Sequence, residues 1–382
     1  PGTIKPVGDE SFFSGLALES MFALDHNVYI DAQSELSERL SLNYGTRLSL
    51  FQNIGESNLY TYEDQTDNIH IVRLDKVHYE PFEIIKYYLN LEPRISARYS
   101  FNNQNAVKAS YNRMVQNTHL IASGTVPLPF NTWQPSSPYL RPQKADQFVV
   151  GYFRNFKQNL LEFSIETYYK KMTDVTDFAD NAQLFFNEDL PTEFRQGISN
   201  SYGLENMLEK KSGRLTGFVS YTLSRALRQI PDVNMGEVFP ANYDRLHSFN
   251  LTAAYELNKA WTFGGNFTYG TGRPITIPSA RYLMEGSYAV DYFTRRNDYR
   301  LPAYHRMDLS ATLFPKKARQ RKIQGKWVFS VYNVYNRKNP FTIYTRIAED
   351  EEGNVIGDGT RKEARMIYLF SILPSVSYNV KF

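Results

Sequence analysis

Two stretches of this 382-residue chain concentrate side chains suited to holding a bulky molecule. PFNTWQPSSPYLRP, residues 129–142, offers Phe130, Trp133 and Tyr139. YAVDYFTRRNDYR, residues 288–300, offers Tyr292, Phe293, Arg295 and Arg296. Aromatic faces attract cations and cover flat groups, and a guanidinium presents a planar fork of donors to anions. Together they suit a planar or anionic ligand. An aromatic interface girdle with packed loops accounts for the same residue types, and RRNDYRLPAYHRMD also fits a structural role. A third stretch, EDEEGNVIGDG at 349–359, is acidic. Carboxylates are hard oxygen ligands, which makes Glu349, Asp350, Glu352 and Asp358 a candidate calcium site. The spacing is not that of an EF-hand, and a solvated acidic loop tip fits it better.

No catalytic constellation is present. There is no G-x-S-x-G and no H-E-x-x-H, and Gly325-Lys326 is followed by Trp327, which spoils a phosphate loop. The expectation is a protein that is not an enzyme and carries no cofactor. The six histidines are scattered without ligand spacing, so no further metal site is expected. With no cysteine there is neither a disulfide framework nor a thiolate site. A net charge of +3 leaves no polybasic signature for nucleic acid.

The elements that would carry these stretches are strands. In SFNLTAAYELNKAWTFGGNFTYGTG (248–272), Phe249, Leu251, Ala253, Tyr255 and Leu257 alternate with Ser248, Asn250, Thr252, Ala254 and Glu256. After Asn258-Lys259-Ala260 the same period resumes at Trp261, Phe263, Gly265, Phe267 and Tyr269. Side chains of period two line opposite faces of a sheet. Roughly thirteen such strands follow from this criterion, starting near residues 28, 40, 91, 105, 146, 159, 199, 214, 246, 260, 304, 327 and 366. Short turns alternate strictly with long connections at about 52–88, 117–145, 176–198, 227–244, 273–302 and 338–364.

That rhythm points to a transmembrane β-barrel. There are 28 Tyr and 26 Phe, yet no apolar run of the ~18 residues a helical span needs. Outer-membrane barrels keep short turns on the periplasmic side and long loops outside, whereas a soluble sandwich has no reason to. The greasy face then meets lipid and the polar face lines the lumen. Arg47, Glu92, Arg94, Arg98, Glu162 and Glu166 fall on the polar face, where a wet lumen tolerates them and a dry core would not. An intact bacterial barrel of this kind has an even number of strands with both termini periplasmic. An odd count places residues 1–13 in an extracellular loop. It makes 1–382 the C-terminal part of a single barrel domain whose first strands lie upstream.

Four passages carry a family resemblance: SYGLENMLEKKSGRLTGFVSYTLSR (201–225), NYDRLHSFNLTAAYELNKAWTFGGNFTYGTGRPITIPSARY (242–282), YRLPAYHRMDLSATLF (299–314) and FSVYNVYNRKNPF (329–341). In this order the chain resembles the C-terminal barrel half of TonB-dependent outer-membrane receptors, particularly the Bacteroidetes-type branch. The resemblance implies a twenty-two-stranded barrel, and an N-terminal plug domain that this chain does not include. It implies import of a scarce bulky nutrient: a metal–siderophore, haem, a corrinoid, a glycan or a peptide. The TonB–ExbB–ExbD system would supply the energy, and a surface lipoprotein is a further candidate partner. A passive porin-like channel and a surface scaffold or adhesin are the rival readings. The terminal SYNVKF places Tyr378, Val380 and Phe382 on the lipid face, which resembles the signal read by the barrel-assembly machinery. An alternating last strand is the simpler account of it. Outer-membrane lipid and lipopolysaccharide complete the expected surroundings, with the basic turn PKKARQRK (315–322) on the periplasmic side.

Overall fold

A computed structural model describes residues 2–4, 16–18, 21–62, 73–121, 132–180, 182, 189–284, 288–315, 324–350, 352–356 and 362–381. Among them, thirteen long antiparallel strands form one sheet in chain order, so every connection is a hairpin. The strands are β1 Phe22–Glu35, β2 Leu40–Ile54, β3 Ile84–Asn102, β4 Asn105–Gln116, β5 Gln143–Phe156, β6 Leu161–Phe178 and β7 Phe194–Lys210. The rest are β8 Leu215–Gln229, β9 His247–Glu256, β10 Trp261–Gly270, β11 Tyr304–Leu313, β12 Gln324–Tyr332 and β13 Leu373–Lys381. The two-residue strand Phe239–Pro240 adds to the margin of β8.

Side chains close the short turns. Ser37 Oγ accepts from the Arg39 and Leu40 amides at 3.3 and 3.1 Å. Asn102 Oδ1 accepts from Gln104 and Asn105 N, both at 2.9 Å, and Asn258 Oδ1 from Ala260 and Trp261 N at 2.8 and 3.0 Å. Asn and Ser suit tight turns because their short polar groups reach a backbone donor two or three residues on. The register then places like with like on each face. Leu251 lies opposite Val219 and Phe267, and Phe267 opposite Met307. On the other face Asn250 lies opposite Ser220 and Thr268. The charges on that polar face satisfy one another: Arg94 Nε meets Asp31 Oδ1 at 3.0 Å, and Arg47 Nε donates to Asn27 Oδ1 at 2.9 Å beside Glu92.

Several strand boundaries differ from the sequence reading; β3, expected from about 91, begins at Ile84, and β7, expected from about 199, at Phe194. The first strand, expected from about residue 28, begins at Phe22, and the short segment Leu16–Leu18 before it pairs with Gly2–Ile4. The last was expected from about 366, but Lys362–Ile367 pairs with Thr342–Ile347 as a loop hairpin and β13 begins at Leu373. Alternation runs unbroken from loop hairpin into wall strand, and period two does not say which neighbour a strand takes.

The long connections carry structure of their own. Ser57–Tyr62 pairs with Arg73–Tyr79, Thr118–Ile121 with Thr132–Pro135, and Ala280–Met284 with Tyr288–Tyr292. The β8–β9 loop has a small core of its own in Ile230, Val233 and Phe239. Among the described residues, β1 and β13 are each paired along one side only.

Candidate ligand-binding face on the extracellular loops

Two rows of aromatics set the membrane frame. Near the long-loop end, Tyr111, Phe148, Tyr169 and Tyr202 lie directly opposite one another across β4–β7. Near the short-turn end, the aromatics Trp261, Trp327 and Tyr378 share a row across β10–β13 with Leu313 between the two tryptophans, the Trp327 and Tyr378 rings 4.7 Å apart. From Tyr169 to Leu161 is about 27 Å of strand, or about 20 Å of membrane normal at the 35–45° tilt of outer-membrane barrels. Such paired girdles bound the lipid band of these proteins. No helix among the described residues is long and apolar enough to span a membrane, so crossing falls to the strands. The long loops above the upper row are extracellular.

Three successive loops meet at one guanidinium. Arg296, 6% exposed, belongs to the β10–β11 loop. Its Nη2 donates to Phe178 O at 2.9 Å and lies 3.4 Å from Asp180 Oδ1 and 3.8 Å from Asp177 Oδ1 at the head of the β6–β7 loop. Its backbone amide donates to Asn234 Oδ1 in the β8–β9 loop at 2.8 Å, and Asn234 N donates to Asp180 Oδ2 at 2.6 Å. Arg228 Nη1 reaches Asp177 Oδ2 at 3.3 Å, and Arg195 Nε reaches Asp232 Oδ2 at 2.9 Å. A second buried acid, Asp244, takes Arg300, Arg225 and the Ala226 amide. A buried charge persists only when paired; Arg296 and Asp244 are both buried and paired, though Arg296 Nε itself has no hydrogen-bond partner among the described residues.

The β6–β7 loop also reaches the other way. Asp189 Oδ1 accepts from Tyr62 Oη at 3.0 Å and Arg73 Nε at 2.7 Å, both on the 57–79 hairpin. The Arg73 guanidinium lies 4.5 Å from the Tyr60 ring centroid. Tyr139 donates to Tyr60 O at 2.5 Å and meets the Tyr62 ring edge-on at 5.5 Å. Burial, with the hydrogen bond to Asp189, holds the Tyr62 hydroxyl well above the usual tyrosine range, so it remains a donor. His119, buried against Ser136 Oγ at 3.2 Å, is pushed down to about 4 by burial and is neutral at physiological pH.

The sequence candidates therefore separate. Trp133 (63% exposed), Tyr292, Phe293 and Arg295 are open to solvent, whereas Arg296 and Tyr139 hold loops together. Phe130 lies outside the described residues, as do Asp358 and Phe382. In the acidic loop, Asp350 Oδ1 accepts from the Glu352 and Asn354 amides at 3.0 and 2.8 Å, so this carboxylate closes its own turn. Glu349 pairs with Arg346 at 3.2 Å. Among the described residues no three His, Asp or Glu side chains converge as a metal site would need. Sequence reasoning missed Tyr60, Tyr62, Arg73 and Asp189. They lie in separate loops and share no local pattern.

A wall of outward-greasy strands, capped by interlinked extracellular loops, defines an outer-membrane β-barrel receptor. A family model described as TonB dependent receptor-like, beta-barrel, matches residues 14–336. The chain belongs to that family and is a barrel wall of the bacterial outer membrane. No curated relative is found by sequence comparison. Among solved structures, the chain is similar to the ferric-catecholate import receptor Fiu of E. coli K12 in its closed form (TM-score 0.54, 15% identity, 94% of this chain and 45% of that one). The ferripyoverdine receptor of Pseudomonas aeruginosa gives 0.58 and 12%, over 98% and 41%. The unliganded ferric citrate transporter FecA gives 0.56 and 13%, over 94% and 45%. At such identities the likeness is one of fold. The chain spans less than half the length of these receptors.

Proposed function

We propose that the whole receptor captures a bulky, planar or anionic nutrient on this loop face and imports it with energy delivered through TonB. A ferric siderophore is the ligand class favoured. The observation that carries the reading is the loop face itself. Arg296 ties three loops into a stable platform; Tyr292, Phe293 and Arg295 stay exposed on its β10–β11 loop, and Trp133 is exposed on the separate β4–β5 loop. Exposed aromatics next to an exposed guanidinium fit a flat, negatively charged chelate. Family membership supports the energy coupling, and the ferric-chelate receptors of similar fold support the ligand class. The two single-sided strands, β1 and β13, would then be closed by strands of a larger barrel that also houses a plug.

The test is accumulation of radiolabelled ferric tris-catecholate and ferric citrate by cells making the full-length protein. Uptake is expected to stop when a protonophore collapses the proton gradient. Uptake that survives the protonophore would establish a passive channel instead. Surface attachment with neither uptake nor chelate binding would establish a scaffold.

A further inference from the structure

We propose that the head of β3 is an open strand edge, which takes an extended, carboxamide-bearing peptide segment of a partner protein by strand addition. The β3–β4 ladder runs from Asn102 opposite Asn105 only as far as Arg94 opposite Asn112. Yet β3 continues to Ile84 against β2, and β4 to Gln116 against β5. Pro93 explains the stop. Ser100 N donates to Arg39 O at 2.7 Å, so the even-numbered residues of β3 bond β2 and the odd-numbered ones face β4. Proline at the next odd position has no N–H to give.

Past Pro93 the two strands part. The Val115 amide, which a continued ladder would aim at β3 backbone, donates instead to Glu92 Oε2 at 3.3 Å. Tyr88 Oη donates to Ser137 O at 2.7 Å, and Asn117 Nδ2 reaches Asp25 Oδ2 on β1 at 3.5 Å. Glu92, Tyr88 and Asp25 share the luminal parity of Arg47, so the head of β4 passes inside β3. The odd-numbered edge is left open. Tyr87, Leu89 and Leu91 are exposed, and on this side their N–H and C=O groups have no partner among the described residues.

Such an edge is a template for another chain. Main-chain hydrogen bonds give the affinity, and alternate side chains give the specificity. Leu89, Leu91 and Tyr87 call for an apolar residue at every second position of the incoming segment. On the inner side, Asn90 (7% exposed) has an unpartnered Nδ2 and Asn117 (9% exposed) an unpartnered Oδ1. One buried donor and one buried acceptor match a carboxamide, which returns an acceptor and a donor. Unmet buried groups are costly, so the pair favours asparagine or glutamine at the alternate positions.

The probe is a peptide of about eight residues, a common strand length, alternating valine and asparagine. It is added to full-length receptor in detergent and followed by hydrogen exchange. Without peptide, the amides of Tyr87, Leu89 and Leu91 are expected to exchange fast and those of Tyr88 and Asn90, bonded to β2, slowly. Peptide is expected to slow the fast set. The same peptide N-methylated throughout is expected to bind at least about five-fold more weakly, because it has lost its donors. Leu89→Pro, whose missing amide faces away from β2, is expected to weaken the unmethylated peptide by about five-fold. No slowing, equal binding of the methylated peptide, or undiminished binding by Leu89→Pro overturns the proposal. Slow exchange of all five amides before peptide is added overturns it too. Protection that fades on dilution would then assign the edge to a second copy of the chain, and protection that persists to the receptor's own chain.

Discussion

Arg296 donates from Nη2 to the carbonyl oxygen of Phe178 at 2.9 Å, a contact that spans 118 positions of sequence and joins two different loops. Its backbone amide binds Asn234 in a third. The β6–β7, β8–β9 and β10–β11 loops are thus one packed unit with a buried guanidinium at its centre.

Replacing Arg296 with Met leaves Asp177 without one cation and removes the tie to Asp180. Asp177 keeps Arg228 and Asp180 is exposed, so the cost is chiefly the unmet carbonyl of Phe178, about 1–3 kcal/mol. Hydrogen exchange is expected to accelerate together at 178–180, 232–236 and 296–297, with wall amides such as those of β6 unchanged. Acceleration confined to the β10–β11 loop would show that the three loops do not open as a unit.

Asp189 is shared by Tyr62 and Arg73. Asp189→Ala is expected to destabilise the 57–79 hairpin by about 1–3 kcal/mol, and Tyr62→Phe by about 1 kcal/mol, because the second removes a donor without stranding an acceptor in a dry site. A double-mutant cycle read by limited proteolysis should give less than the sum, since both changes delete the same contact.

His119 should make its hairpin sensitive to acid. Its pKa is about 4 in the folded loop against an ordinary 6.5, so the opened state binds more protons between those values. The stability this neutral imidazole contributes is complete above pH 6.5 and falls as the pH drops from 6.5 toward 4. Exchange at residues 118–121 is expected to rise over that range. In His119→Gln the profile should be flat; an unchanged slope would assign the effect to another group.

Backbone donors, chiefly the Asn354 amide, hold the Asp350 carboxyl below its usual range. Asp350→Ala is expected to speed proteolysis of the 349–356 turn, and adding or chelating calcium should leave the unmodified protein's cleavage rate as it was. A calcium-dependent slowing that disappears in Asp350→Ala would restore the calcium site suggested by the acidic sequence.

Tyr378 packs on Trp327 at the lower girdle and also belongs to the terminal alternating motif. Tyr378→Ala is expected to lower the amount of folded receptor in the outer membrane several-fold, with Ser377→Ala, on the opposite face, near the unmodified level. Equal levels for the two, measured by heat-modifiable mobility, would leave the motif without an assembly role.

The wall was legible without coordinates. Period two separates the faces of a strand, and the alternation of short turns with long loops then sets Leu251 and Phe267 toward lipid and Asn250 and Thr268 toward the lumen. Turn chemistry at Ser37, Asn102 and Asn258 marks the short ends, and hairpin topology follows because each strand's nearest partner in sequence is also its partner in space. The loops obey no such period. Arg295 and Arg296 are adjacent and chemically identical, yet one is exposed and the other buried among three loops, a difference set by where the ends of β6, β8 and β10 bring distant chain together. Tyr62 and Asp189 likewise meet across 127 positions. Local sequence determines the faces of a strand because the pleat repeats every two residues. Only the assembled sheet decides which loop side chains converge, because it alone fixes the distances between loops.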